Sequence, residues 1–205
     1  MENNIFLEKL DNSEIVLGTD EKVKIIAFLT AGWVGKKKLT FKFGGEGSDV
    51  EFLAIVLGTG KERFEFETAA LMEKPHNKAH FTVKCAMFDE SYVDYVGRLN
   101  IEKGAFDSDV YLAHHTLLLG SKSVAKTLPA LEIEADEVKA GHAASLGKVD
   151  EEMLFYFETR GFNKSEAEMM IVRGFLEDVV LKVEDEALKE RLITEISEKL
   201  PYSIT

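Results

Sequence analysis

Thr127-Leu128-Pro129-Ala130-Leu131-Glu132-Ile133-Glu134-Ala135-Asp136-Glu137-Val138-Lys139-Ala140-Gly141-His142-Ala143-Ala144-Ser145-Leu146-Gly147-Lys148 runs directly into Val149-Asp150-Glu151-Glu152-Met153-Leu154-Phe155-Tyr156, and the period of the apolar residues changes across that junction. Upstream, Leu131, Ile133 and Ala135 alternate with other residues, the pattern of a half-buried strand. Downstream, Asp150 is placed to cap a helix reaching about Arg160, and Gly161 to end it in a left-handed conformation. Asn163 and Glu166 have the spacing of an Asx capping box, and Ala167, Met170, Ile171, Gly174 and Phe175 then form one helical stripe. A third helix has the seam Leu188, Leu192, Ile196, Leu200, with Pro201 as its stop. These periods divide the chain into a β core over residues 1–149 and a C-terminal helical domain over 150–205.

Further upstream, alternation recurs at Leu39, Phe41, Phe43, at Phe64, Phe66 and at Phe81, Val83, Cys85, Met87. Between these lie more continuous apolar runs at 23–29, 50–57 and 110–119, separated by turn-prone pieces such as Gly44-Gly45-Glu46-Gly47-Ser48 and Gly58-Thr59-Gly60. Eight or so strands result. A sandwich, a barrel and a stacked solenoid each bury one strand face and break at regular turns, so the pattern alone fits all three. No exact repeat is visible.

The 205 residues are 45% hydrophobic, enough for one good core. With 25 basic and 37 acidic residues the formal charge is −12, which repels a phosphate backbone and an anionic membrane surface and speaks against nucleic-acid binding. Half of that excess sits in residues 151–205, which hold 13 acidic and 7 basic side chains. No apolar run approaches the ~18–20 residues of a spanning helix. The start Met1-Glu2-Asn3-Asn4 lacks a signal-peptide pattern, so a soluble cytoplasmic protein is expected.

Five histidines and one cysteine are the residues with the most chemistry to offer. His114 and His115 are adjacent and point to opposite faces of a strand, so one interior site takes at most one of them. His76 and His80 flank the loop Pro75-His76-Asn77-Lys78-Ala79 and would converge at that spacing only on a helix. Cys85 reads as a buried, inert thiol, or else as a thiolate that receives sulfur or binds a soft metal. Neither glycine cluster matches a phosphate-cradling loop, and no serine lies in a nucleophile elbow. A metal-dependent β-barrel enzyme using His76, His80 and one of His114 or His115 remains one reading of these residues.

The stretch from Thr127 to Lys148, followed by Leu154-Phe155-Tyr156, Arg160-Gly161, Glu166-Ala167 and Gly174-Phe175, resembles the C-terminal signature of the SufB/SufD family, scaffold subunits of the Suf iron-sulfur cluster assembly machine. The likeness is strong over about His76 to Phe175 and is one of texture over the first 75 residues. It implies a right-handed parallel β-helix (solenoid) followed by a small C-terminal α-helical domain. It further implies pairing through the β-helix with a second SufB/SufD-type chain or with another copy of itself, and helices that dock a SufC-like ABC ATPase. Cluster assembly in the family is placed at the pair interface, and the histidine implicated there falls on His142, the expected metal and cofactor ligand beside Cys85.

Two departures point to the SufD side. Ser123 stands where SufB-type members carry a cysteine, and Ala143 rather than a glutamate follows His142. The resemblance therefore implies a compact, non-catalytic scaffold component whose iron-sulfur cluster is transient and shared at an interface, with none held tightly by the isolated chain. An interaction module that has lost cluster chemistry is the related alternative, favoured by Ser123.

Overall fold

A computed structural model describes residues 2–201. Eleven strands alternate between two parallel sheets and three helices follow them. One sheet holds β1 (Glu2–Leu7), β3 (Lys22–Leu29), β5 (Asp49–Gly58), β7 (Lys78–Met87), β9 (Asp109–Leu118) and β11 (Lys139–Gly147) in that order. The other holds β2 (Ser13–Leu17), β4 (Lys37–Phe43), β6 (Arg63–Met72), β8 (Tyr92–Ile101) and β10 (Val124–Ile133). Every strand pairs with the next but one in sequence, so the chain winds as a β-solenoid of about five turns. Its sheets end in open edges and do not close, which removes the barrel and the barrel enzyme.

Asp49, Lys78, Asp109 and Lys139 occupy successive rungs, so these turns take 29, 31 and 30 residues. That drift in length hides the repeat from the eye. The strand count exceeds the eight or so expected because β1 and β2 are short and β11 is rich in glycine and alanine, weak strand signals on their own.

Two stacked features hold the turns in register. Along the interior, Ile25, Phe52, Phe81 and Leu112 form one column of paired residues, all buried, and Phe41 from the facing sheet packs on Phe52 and Phe81 with ring centroids 6.3 and 5.4 Å apart. At one corner Asp20, Gly47, His76, Asp107 and Glu137 each adopt positive φ. The N–H groups of the first four donate to the next turn toward the C terminus, as in His76 N to Phe106 O at 3.1 Å and Asp107 N to Glu137 O at 3.0 Å. Beneath that corner Ser48, Asn77 and Ser108 are buried on successive turns; Asn77 Oδ1 accepts from the Ser48 N–H at 2.8 Å, while Ser108 Oγ has no partner.

Helices α1 (Glu151–Thr159), α2 (Lys164–Val180) and α3 (Glu186–Lys199) follow directly. Asp150 caps α1, Gly161 has φ +97° just past its end, and Asn163 and Glu166 form the full capping box of α2, as the sequence predicts. The helices share a second apolar core with the outer face of the six-stranded sheet, where Ile26, Phe28, Leu53, Ile55 and Leu57 meet Val172, Leu176, Val179, Leu192 and Ile196. The stripe of α2 is rotated from the expected one: Ala167, Met169, Val172, Leu176, Val179 and Val180 are buried while Gly174 is exposed. This helix packs on the sheet and on both other helices, so its apolar face is broader than one stripe. No helix among the described residues is long and apolar enough to cross a membrane.

Candidate functional site: the open end of the solenoid

The last turn is built differently from those beneath it. In β5 to β9 almost every inward residue is buried, whereas β10 and β11 have mostly half-buried and exposed positions. Both are sheet edges, and an edge strand presents unpaired N–H and C=O groups. Val124, Leu128, Ile133 and Leu146 are exposed there. Ile133 lies outside the core expected for it because no further rung covers it.

His142 lies in β11, paired with Leu112 of β9. In-register parallel neighbours project to one face, so His142 continues the interior column Phe52, Phe81, Leu112 as its exposed final rung. Ser123 lies in the turn before β10, and its hydroxyl donates to the Gly120 carbonyl at 2.8 Å. The Ser123 side chain thus closes a turn.

Cys85 is fully buried inside the tube. Its Sγ lies 3.6 Å from Nε2 of His114, and that nitrogen is also 3.3 Å from Thr116 Oγ1. The His114 ring sits 5.0 Å from that of Tyr95, whose hydroxyl is 2.7 Å from Thr68 Oγ1. Burial pushes the Cys85 thiol up to about 12 and His114 down to about 4, so at neutral pH the pair is an uncharged thiol and an uncharged imidazole. Burial also raises the Tyr95 hydroxyl. Nδ1 of His114 is buried without a partner, an omission that costs about 1–3 kcal/mol. This grouping escapes a linear reading because its members come from four strands. A turn length near 30 residues is the signal that would have brought Cys85 beside Thr116, its register partner.

The other histidines are dispersed. His115 projects outward and its Nδ1 lies 2.7 Å from Ser145 Oγ of β11, His76 occupies a corner with Nδ1 3.0 Å from Asp107, and His80 Nε2 lies 3.1 Å from Asp109. His114 and His115 do face opposite ways, as expected for neighbours in a strand. Among the described residues no three of His, Cys, Asp and Glu converge as a metal-binding group.

The helical region has its own unsatisfied surface. Met153, Phe155, Tyr156 and Phe162 are exposed on and just beyond α1, with Phe155 at 66%. Tyr156, Phe157 and Phe162 form an edge-to-face series with centroids 5.9 and 5.8 Å apart. These aromatic side chains are exposed together on one side of the helical region.

Comparison with known proteins agrees with this architecture. The family described as "SUF system FeS cluster assembly, SufBD core domain" matches residues 7–175. The chain is 27% identical over 190 residues to the iron-sulfur cluster assembly protein SufD of Escherichia coli (strain K12), covering 93% of this chain and 45% of that protein. It is 31% identical over 156 residues to SufD of Bacillus subtilis (strain 168), covering 76% and 36% respectively. A SufBD family protein of Mycobacterium leprae (strain TN) is 30% identical over 193 residues, covering 90% and 49%. The chain thus spans half or less of the length of these curated relatives. With most of its length matched by the core domain, the chain belongs to the SufBD core family of the SUF system, and its likeness to SufD proteins gives it SufD-like character.

Proposed function

We propose that this chain is a cytoplasmic, non-catalytic scaffold component of Suf-type iron-sulfur cluster assembly, pairing through the open end of its solenoid and docking an ABC-type ATPase by its C-terminal helices. The observation that carries the reading is the pair of uncovered edges, β10 and β11, with apolar side chains exposed along them and His142 at the end of the interior column. A second SufB/SufD-type chain, or another copy of this one, would continue both sheets and satisfy the edge groups. His142 then lies where two chains meet and can offer a neutral imidazole to a cluster whose thiolates come from the partner. Cys85, two rungs beneath the edge, is the second candidate ligand, reached only from within the tube. The cluster is cargo, assembled at the interface and passed on.

The ATPase contact is assigned to residues 150–205, the helical domain, because the exposed aromatic group of α1 and the turn after it lies there, on the rim of a foot tied to the sheet by a shared core. The test is co-expression with a SufC-like ATPase and a SufB-type chain, followed by anaerobic cluster reconstitution. His142→Ala should lower cluster yield without changing the melting temperature or the complex. Undiminished yield would favour the interaction module that has lost cluster chemistry. Capture of the ATPase by a solenoid lacking function at α1, through Phe155→Ser with Tyr156→Ser, would remove the docking assignment.

A further inference from the structure

The solenoid is open at its other end too. Among the described residues β1 has β3 as its sole strand partner, so every second residue of Glu2–Leu7 turns its N–H and C=O away from the sheet. Helix α3 flanks this edge: Arg191 lies over the Phe6 ring, 4.9 Å from its centroid, and pairs with Glu8. Phe6 is shared by two cavities. One, of about 150 Å³, is bounded by Asn4, Ile26, Val183 and Leu188, near the start of α3. The other, of about 790 Å³, is bounded by Leu7, Leu10, Phe28 and Ala31, with Glu195 and Lys199 of the end of α3 facing it.

Phe6 packs on the apolar core of the helices, so Asn4 and Glu8, two residues to either side, share its face of the sheet. A strand laid along β1 would project its own alternate side chains, roughly 6.6–7 Å apart, to that face and into the cavities. The walls ask for apolar side chains. The charges ask for carboxylates: Glu8 and Glu195 are matched by Arg191 and Asp11 by Lys37, whereas Lys9 and Lys199 are exposed beside the larger cavity with no ion pair among the described residues.

We infer that the β1 edge and the groove beside α3 form a docking site for an extended segment of a partner protein, with apolar side chains at alternate positions and carboxylates at the end that meets Lys9 and Lys199. The segment joins the six-stranded sheet as a further strand, its backbone bonded to β1 and its alternate side chains held under α3. A second copy of this chain does not supply it. The free strand of the matching sheet is β11, which has no acidic residue and turns Gly141, Ala143, Ser145 and Gly147 to that face, too small to fill the cavities. The inference concerns the end of the solenoid remote from His142 and does not draw on the scaffold reading.

The test is fluorescence anisotropy of labelled synthetic peptides with the full chain. The probe is a short blocked peptide of alternating leucine and threonine with glutamates at both ends, and its control carries lysines in their place. The acidic peptide should bind roughly tenfold more tightly than the basic one, and Lys9→Glu with Lys199→Glu, both at exposed positions, should reverse that order. N-methylation of one alternate set of peptide amides should weaken binding roughly tenfold and of the other set hardly at all, because an edge strand bonds its neighbour through one set only. Ala31→Trp, which fills the larger cavity from an exposed position, should abolish binding without lowering the melting temperature. No binding at about 1 mM peptide, equal loss from both methylated sets, a peptide order unchanged by the lysine reversal, or full binding by Ala31→Trp would each overturn the site. So would a dimer of the chain alone that Ala31→Trp dissociates, because a second copy would then hold the groove.

Discussion

Lys84 Nζ lies 2.7 Å from Asp178 Oδ2 and 2.9 Å from the carbonyl oxygen of Phe175, so one side chain of β7 grips α2 at two points. The lysine is nearly buried while the carboxylate is largely in water, with side-chain exposures of 11% and 58%. The hydrogen bond from Lys84 holds the Asp178 carboxyl below its ordinary range. The two partners should therefore respond unequally to removal. Asp178→Ala leaves a buried ammonium with only the carbonyl and ring of Phe175 and should cost about 1–3 kcal/mol, whereas Lys84→Met keeps the packed stem and returns a carboxylate to solvent, at smaller cost. Urea midpoints of the two variants should be ordered that way.

His114 makes acid sensitivity a property of the solenoid core. Its native value near 4 lies below the ordinary 6.5, so between those pH values the unfolded chain binds a proton that the native chain refuses. Stability should fall as pH drops from 6.5 to 4, by roughly 3 kcal/mol at full extent. Denaturation midpoints across that range should flatten in His114→Leu.

Gly120 is a close-approach position. A Cβ there would lie 2.2 Å from the backbone oxygen of Asp89, which cannot swing aside. Gly120→Ala should cost about 3 kcal/mol. Gly174 has open space around it in α2, so Gly174→Ala should instead stabilise by about 0.5–1 kcal/mol through helix propensity. Thermal melts of the pair should move in opposite directions.

Leu128 is exposed on β10 and contributes little to the fold of one chain. Leu128→Lys should leave monomer stability within about 0.5 kcal/mol and weaken pairing with a partner chain. Equilibrium sedimentation with the partner reads the second effect, and unchanged association would place the interface elsewhere.

The helix ends and the strand faces were legible because their causes are local. Asp150, Gly161, Asn163 and Glu166 act within one turn of chain, and Phe41, Phe64 and Phe81 alternate with residues adjacent to them. The family likeness likewise rested on contiguous residues ending at Phe175, and the match over 7–175 agrees with it. The rotation of the α2 stripe was not legible, since three neighbouring elements decide which of its faces is covered.

From the order of its residues alone, this protein was specified as a run of half-buried strands giving way near residue 149 to capped helices, because alternation and capping are enforced by neighbours a few positions apart. Tertiary structure alone decided that strands pair with the next but one, that five corner residues stack with positive φ, and that Cys85 faces His114 from another rung. Those contacts join residues about 30 positions apart through backbone hydrogen bonds that carry no side-chain signature, so they come into being only when the turns stack.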